Sequence, residues 1–342
     1  MEKITMEEIA QRANVSIATI SRIINNKDTV KTQTKERVLR VMEEMGVHPK
    51  AASVLSDMSS NMILMCVPDF SNPFNSPVID GVQKAAYNSG YDVLLLQSKD
   101  FYKSSEDYLK LIQNHSIAGM LILSPAPGSD LMDQLRFRCP IVMCSEYAED
   151  YGISYVSIDD VLASEKAVNY LISTGCRKIA FLNCSLQFKY ARHREKGYLK
   201  AVKAAGLEQN PSWISHVPYI NYQLAFSNAK HILSLENRPD GVFACSDVFA
   251  VAAVQAAKEL GLRVPEDVSV VGFDNIDLSV MSDPQITTIS QPSYNLGFQA
   301  CGLLLEKIKN ADTPDRQIIL DTELIVRGST RLDKAVPGPV KG

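Results

Sequence analysis

Two groups of side chains have the types and spacing for recognition chemistry. The first is Ser16, Ile17, Ala18, Thr19, Ser21, Arg22 and Asn25. They share one side of a short helix whose other side is Ile20, Ile23 and Ile24 at helical spacing. Small, hydroxylated and amide groups with one guanidinium make a face thin enough for a major groove. They also supply groups that reach phosphates and base edges. The second group lies at the ends of short apolar runs: Asp69, Asn72 and Phe74; Ser145 and Glu146; Phe188, Tyr190 and Arg194; Ser246 and Asp247; and Asp274. In open α/β sheets, ligands bind just beyond the carboxyl ends of the strands. Taken singly, each charge also fits a surface ion pair, and the two short helices also fit an ordinary helical hairpin.

The elements that must carry these groups follow from local patterning. Thr5 and Glu8 have the spacing of a capping box, and Ile9, Ala10 and Ala13 give the first helix an apolar side. A turn is expected at Asn14-Val15, where Asn tolerates a left-handed backbone, and Ser16 then caps the second helix. Thr32 to Met45 reads as a third helix, closed by Gly46 and Pro49. Three helices this small bury little, which suits a headpiece attached to something larger. Residues 47–60 read as a linker. From Ile63 onward, apolar runs alternate with helical stretches: Ile63–Val67, Val93–Leu96, Met120–Leu123, Ile141–Cys144, Ile179–Leu182, Val242–Cys245 and Val268–Val271. Runs without polar alternation are expected of parallel strands covered on both faces, so the class is α/β, doubly wound. A spacing recurs in Gly81…Ala85…Gly90, Gly197…Ala201…Gly206 and Ala252…Ala256…Gly261, although glycines after Ala-rich helices recur in any such fold.

The net charge of −4 does not announce a nucleic-acid binder. Residues 1–60 hold nine Lys/Arg against eight Asp/Glu, so DNA affinity would depend on where charge is placed. Seven cysteines, odd in number and without a CxxC pair, point to a reducing cytoplasm rather than a disulfide framework. No signal peptide and no membrane span is expected. GxSxG, a GxGxxG after the first strand, the phosphate-binding P-loop and HExxH are all missing, and the five histidines lack metal-ligand spacing. No catalysis, metal or cofactor is expected. Asp159-Asp160 sits at an expected helix start, where Asp caps well.

Val15 to Asn25, ValSerIleAlaThrIleSerArgIleIleAsn, resembles the recognition-helix signature of the lactose-repressor/galactose-repressor family of bacterial regulators. The similarity continues to about Leu332, nearly the whole chain. It implies a helix-turn-helix headpiece over 1–60, with the helix pair at about 5–25 and a hinge at about 47–60. A core like the type I periplasmic-binding proteins, made of two Rossmann-like subdomains, would occupy 61–332. The first subdomain would be 61–160 with 292–320, the second 161–290 with 321–332, and 333–342 a loose tail.

The resemblance adds Thr5 and Thr34 to the DNA-contacting set, and Leu55 as a hinge wedge in the minor groove. ValProAspPheSerAsnProPhe (67–74) is similar to the family's loop in which an aromatic closes over the effector. ArgGluLysGlyTyr (194–198) matches a motif whose Arg holds effector hydroxyl or carboxylate groups, and ValValGlyPheAspAsn (270–275) one whose Asp accepts from sugar hydroxyls. The implied effector site is Asn72, Phe74, Ser145, Tyr190, Arg194, Ile220, Ser246, Asp247 and Asp274, with Arg194 and Asp274 paired across a diol. Ile220 stands where relatives place a stacking aromatic. The C-terminal third, including ThrThrIleSerGlnPro (287–292), is most similar to the nucleoside-responsive cytidine-repressor subgroup. The implied protein is a cytoplasmic homodimeric repressor of palindromic double-stranded operator DNA, controlled by a nucleoside or a sugar. A solute-binding receptor without a DNA role is the alternative from another class.

Overall fold

The computed structural model describes residues 6–16, 19, 31–44, 61–98, 117–125, 128–148 and 151–331. The N-terminal part contains α1 (Met6–Arg12) and α2 (Thr32–Glu44), which pack on each other. Ile9, Ala10, Ala13 and Val38 are buried there. Asn14 takes φ +50°, the left-handed backbone that the corner requires. Beyond it, Ser16 Oγ accepts the Thr19 N–H at 3.1 Å, which is N-cap geometry for a helix starting at this point. Thr19 and Thr34 are half-buried and Ser16 is exposed. Thr5, Ile17, Ala18, Ser21, Arg22, Asn25 and Leu55 lie outside the described residues.

From residue 61 the chain builds two six-stranded sheets. The strands are β1 (Met62–Val67), β2 (Asp92–Gln97), β3 (Ile117–Ile122), β4 (Ile141–Cys144), β5 (Tyr155–Ile158), β6 (Ile179–Cys184), β7 (Ile214–Val217), β8 (Gly241–Ala244), β9 (Ser269–Asp274), β10 (Thr287–Ser290), β11 (Gln317–Leu320) and β12 (Glu323–Ile325). The first sheet, in the order β11-β5-β4-β3-β1-β2, is parallel throughout. The second, β12-β10-β9-β8-β6-β7, is parallel except where β12 runs against β10. Inner strands such as β1, β4, β6 and β9 are buried nearly end to end, as helices on both faces demand.

The helices are α3 (Asn75–Asn88), α4 (Ser129–Arg138), α5 (Asp160–Ser173), α6 (Lys189–Ala204), α7 (Tyr222–Leu233), α8 (Asp247–Glu259), α9 (Leu278–Met281) and α10 (Ser293–Lys309). The chain changes sheet three times. After β5, α5 packs on α6 and the second sheet; after β10, α10 returns to α3 and the first sheet; between Leu320 and Glu323 it passes from β11 to β12. The recurring glycine spacing has a mechanical basis. A Cβ on Gly81 would stand 2.1 Å from the Tyr294 carbonyl oxygen, and one on Gly197 would stand 2.3 Å from that of Val161, so equivalent helices in the two lobes cross their neighbours at backbone contact. Each of the seven expected apolar runs overlaps a strand. Five further strands, β5, β7, β10, β11 and β12, gave no such run because they are short and carry Ser, Thr, Tyr, Gln or Glu.

Candidate functional site

A cavity of about 590 Å³ opens between the two lobes at the carboxyl ends of their strands. That is within the range of small-molecule sites. Of the nine residues expected there, eight line it: Asn72, Phe74, Ser145, Tyr190, Arg194, Ile220, Ser246 and Asp274. Asp247 does not. It is wholly buried at the start of α8, where its oxygens take the Thr288 hydroxyl at 2.6 Å and the Ile276 N–H at 2.9 Å. Its carboxylate therefore braces the loop after β9 instead of lining the cavity. Phe70 at the first strand end stays exposed, and Tyr222 packs on Phe226 outside the cavity.

Several of these side chains are already engaged locally. Asn72 Oδ1 accepts the Phe74 N–H at 3.2 Å as α3 begins, which turns the Phe74 ring inward to 8% exposure. Ser246 caps α8 by accepting the Phe249 N–H. Ser145 has φ +66° and Asp274 φ +107°, both unfavourable for residues with a Cβ. Such backbone strain persists where surrounding structure enforces it, commonly at ligand sites.

Arg194 is the electrostatic centre. Its Nε donates to Asp160 Oδ1 at 2.9 Å and its Nη1 to the Cys245 carbonyl oxygen. Asp274 Oδ1 stands 3.7 Å from Nη1, so the expected Arg194–Asp274 pair exists but is the looser one. The guanidinium lies over the Phe273 ring at 3.6 Å, with the Tyr190 ring at 4.9 Å. Asp160 also holds the Lys189 ammonium at 2.8 Å, and that ammonium sits over the Tyr147 ring at 4.3 Å. Burial alone would raise the Asp160 carboxyl, but Lys189 and Arg194 offset this and hold it below its ordinary value. Asp274 lacks so close a cation. Burial pushes it up to about 7, even though Arg194 and the Gln291 amide, which donates to Oδ1 at 2.7 Å, both favour its charge.

The site therefore offers unused hydrogen-bonding capacity. Neither Arg194 Nη2 nor Asp274 Oδ2 bonds to another described residue. Gln291 Oε1, Ser98 Oγ and Ser124 Oγ are buried without a partner, and all three residues line the cavity. Buried polar atoms normally find partners, so these mark places where a ligand's polar groups would be satisfied. Phe74, Phe188, Tyr190 and Tyr219 supply ring surface alongside them, and Ile220 adds an aliphatic one. No group of three or more His, Cys, Asp or Glu side chains placed to hold a metal occurs among the described residues.

Sequence reasoning missed Asp160, Lys189 and Gln291. The Asp159-Asp160 doublet held the one available signal: a helix start needs a single cap, and Asp159 supplies it by accepting the Leu162 N–H at 2.9 Å. The second Asp was thus free for another task. Gln291 and Lys189 carried no local signal.

Comparison with known proteins places this geometry among regulators. The model described as "Bacterial regulatory proteins, lacI family" matches residues 5–50, and "Periplasmic binding protein-like domain" matches residues 168–330. The HTH-type transcriptional repressor CytR of Escherichia coli K12 is 36% identical over 96% of each chain. PurR of Vibrio vulnificus, also an HTH-type transcriptional repressor, is 32% identical over 96% of this chain and 98% of its own. Among solved structures, the transcriptional regulator CelR–cellobiose complex superimposes with a TM-score of 0.73 at 28% identity, covering 96% of this chain and all of that one.

Proposed function

The chain belongs to the lacI family of bacterial regulatory proteins, and from that premise we propose how its cavity and headpiece are used. It is a DNA-binding transcriptional repressor under the control of a small ligand, and it is not an enzyme. The effector is a nucleoside, held in the cavity between the lobes. The observation that carries this assignment is the pairing of unused polar capacity on Arg194, Asp274 and Gln291 with the rings of Phe74, Phe188, Tyr190 and Tyr219. A ribose diol would donate to Asp274 and accept from Arg194, while a flat base lies against the rings. A sugar is the second reading, supported by the cellobiose-bound relative.

The lobes are residues 61–160 with 292–320 and 161–290 with 321–332, and residues 1–60 are the headpiece with its hinge. The protein acts in the cytoplasm as a homodimer, because one small headpiece is not selective while two related by a two-fold axis read both halves of a palindrome. Ligand changes DNA affinity only through a different affinity for two arrangements of the lobes. On the DNA side we assign groove contacts to Ser16, Thr19, Ser21, Arg22 and Asn25, and the hinge wedge to Leu55. If Arg22 reads a guanine edge, Arg22→Ala costs roughly 1–3 kcal/mol and relaxes preference at one base pair.

Calorimetry with cytidine, uridine, adenosine, ribose and glucose tests the effector. Micromolar to millimolar nucleoside binding, abolished by Arg194→Ala while operator binding survives, is the expected result. A hexose bound with no nucleoside bound would discard the nucleoside assignment and keep the regulator.

A further inference from the structure

One buried charge at the cavity has no role in the ligand reading. Glu146 follows β4 in the first lobe, lines the cavity and is 4% exposed. Its two carboxylate oxygens accept the backbone N–H groups of Lys189 and Tyr190 at 2.9 and 3.0 Å. Those are the first two residues of α6, in the opposite lobe. α6 is 16 residues long, and Phe188 at its N-cap position provides no side-chain cap. A helix N-terminus of this kind attracts anions, because its first N–H groups lack partners and the helix dipole points its positive end there. Here a carboxylate of the chain's own already fills that place.

Burial pushes the Glu146 carboxyl up although Lys189 and the two N–H donors favour its charge, and the nearby cations are shared among three carboxylates. Lys189 and Arg194 both pair with Asp160, and Arg194 also faces Asp274, so two cations already meet two carboxylates. An arriving phosphate or carboxylate would find the two N–H donors occupied and a buried negative charge beside them. Like charges sharing one buried site strongly disfavour each other.

We infer that Glu146 is a specificity-determining residue: it stands in for an anionic ligand group at the N-terminus of α6, and so confines the effector to molecules without a phosphate or carboxylate. This rests on the cavity being the effector site. It adds a selection rule that the Arg194–Asp274 pair alone would not impose, since the open Nη2 of Arg194 would welcome an anion.

The test uses the full-length protein with Glu146→Ala, which frees both N–H donors, and Glu146→Gln, which keeps the shape and one acceptor but loses the charge. Each is titrated calorimetrically with inorganic phosphate, a nucleoside and its 5′-monophosphate, with melting temperature as a second readout. The wild type is expected to show no phosphate response and to prefer the nucleoside over its monophosphate. Glu146→Ala is expected to gain phosphate binding and to narrow that preference by about tenfold or more, with Glu146→Gln between. Phosphate bound equally by the wild type, or rejected as strongly by folded variants, overturns the inference. If no nucleoside binds any form but phosphate binds only the variants, the nucleoside reading fails and the inference stands. If the wild type binds nucleoside and monophosphate alike, the inference fails and the nucleoside reading stands. Should Glu146→Ala not fold, the charge-only change in Glu146→Gln decides.

Discussion

Asp274 should make effector binding depend on pH, in a direction set by its surroundings. Burial raises its carboxyl to about 7, because Arg194 is 3.7 Å away and Gln291 donates only a neutral hydrogen bond. At pH 6 the ligand-free site is then about nine-tenths protonated, and at pH 8 about nine-tenths ionised. Ligand hydroxyls that donate to the carboxylate favour its charged form and lower its pKa. Binding therefore releases a proton, and affinity rises about tenfold per pH unit below 7 before levelling off above it. Calorimetry from pH 5.5 to 8.5, in two buffers of different ionisation enthalpy, would show proton release approaching one per site at the acid end. Asp274→Asn cannot ionise and should remove both the slope and the release. It also separates Asp274 from Asp247, which titrates nearby but lies outside the cavity. Affinity that falls with rising pH, or a slope that survives Asp274→Asn, would refute the reasoning.

Asp247 should govern the stability of the ligand-free protein instead. Burial and then the neighbouring Asp274 raise it to about 8, so its contribution is full below its ordinary value near 3.8 and is lost as pH rises through about 8. Asp247→Asn can still accept from the Ile276 N–H and donate to the Thr288 hydroxyl. It should therefore stabilise the protein by at least about 1 kcal/mol at pH 9 and flatten the melting curve's pH dependence. At the crossing of α3 and α10, a Cβ on Gly297 would meet the Val78 carbonyl oxygen at 2.0 Å. Gly297→Ala should cost about 1–3 kcal/mol in urea unfolding, and a neutral result would mean the two helices are free to separate.

Much of the architecture was legible because it is written in short-range patterns. The runs that became β1, β4 and β6 are apolar without alternation, and only strands covered on both faces need that composition. Asn14 and Ser16 announced the corner and the cap, since each acts on backbone within three residues of itself. By contrast, β7, β10 and β11 were invisible. Ser215, Thr287 and Gln317 interrupt their apolar character, and those strands owe their place to neighbours already laid down rather than to a pattern of their own.

The site divides along the same line. Strand-end patterning indicated which chain segments reach the cleft, the family resemblance completed the set, and eight of the nine residues expected line the cavity. Only the tertiary structure decided what each charge does there. Asp160 opens α5, Lys189 and Arg194 lie about one turn and a half apart on α6, Asp274 ends β9 and Gln291 follows β10. Their pairings depend on distances of a few ångströms that no spacing in the chain encodes. Asp247 and Asp274 look equivalent as letters, yet one closes on Thr288 and Ile276 while the other keeps an oxygen for the cavity. Burial and partner geometry separate them, because a carboxylate's role is set by the water it loses and the donors it gains, and both are fixed only when distant segments pack.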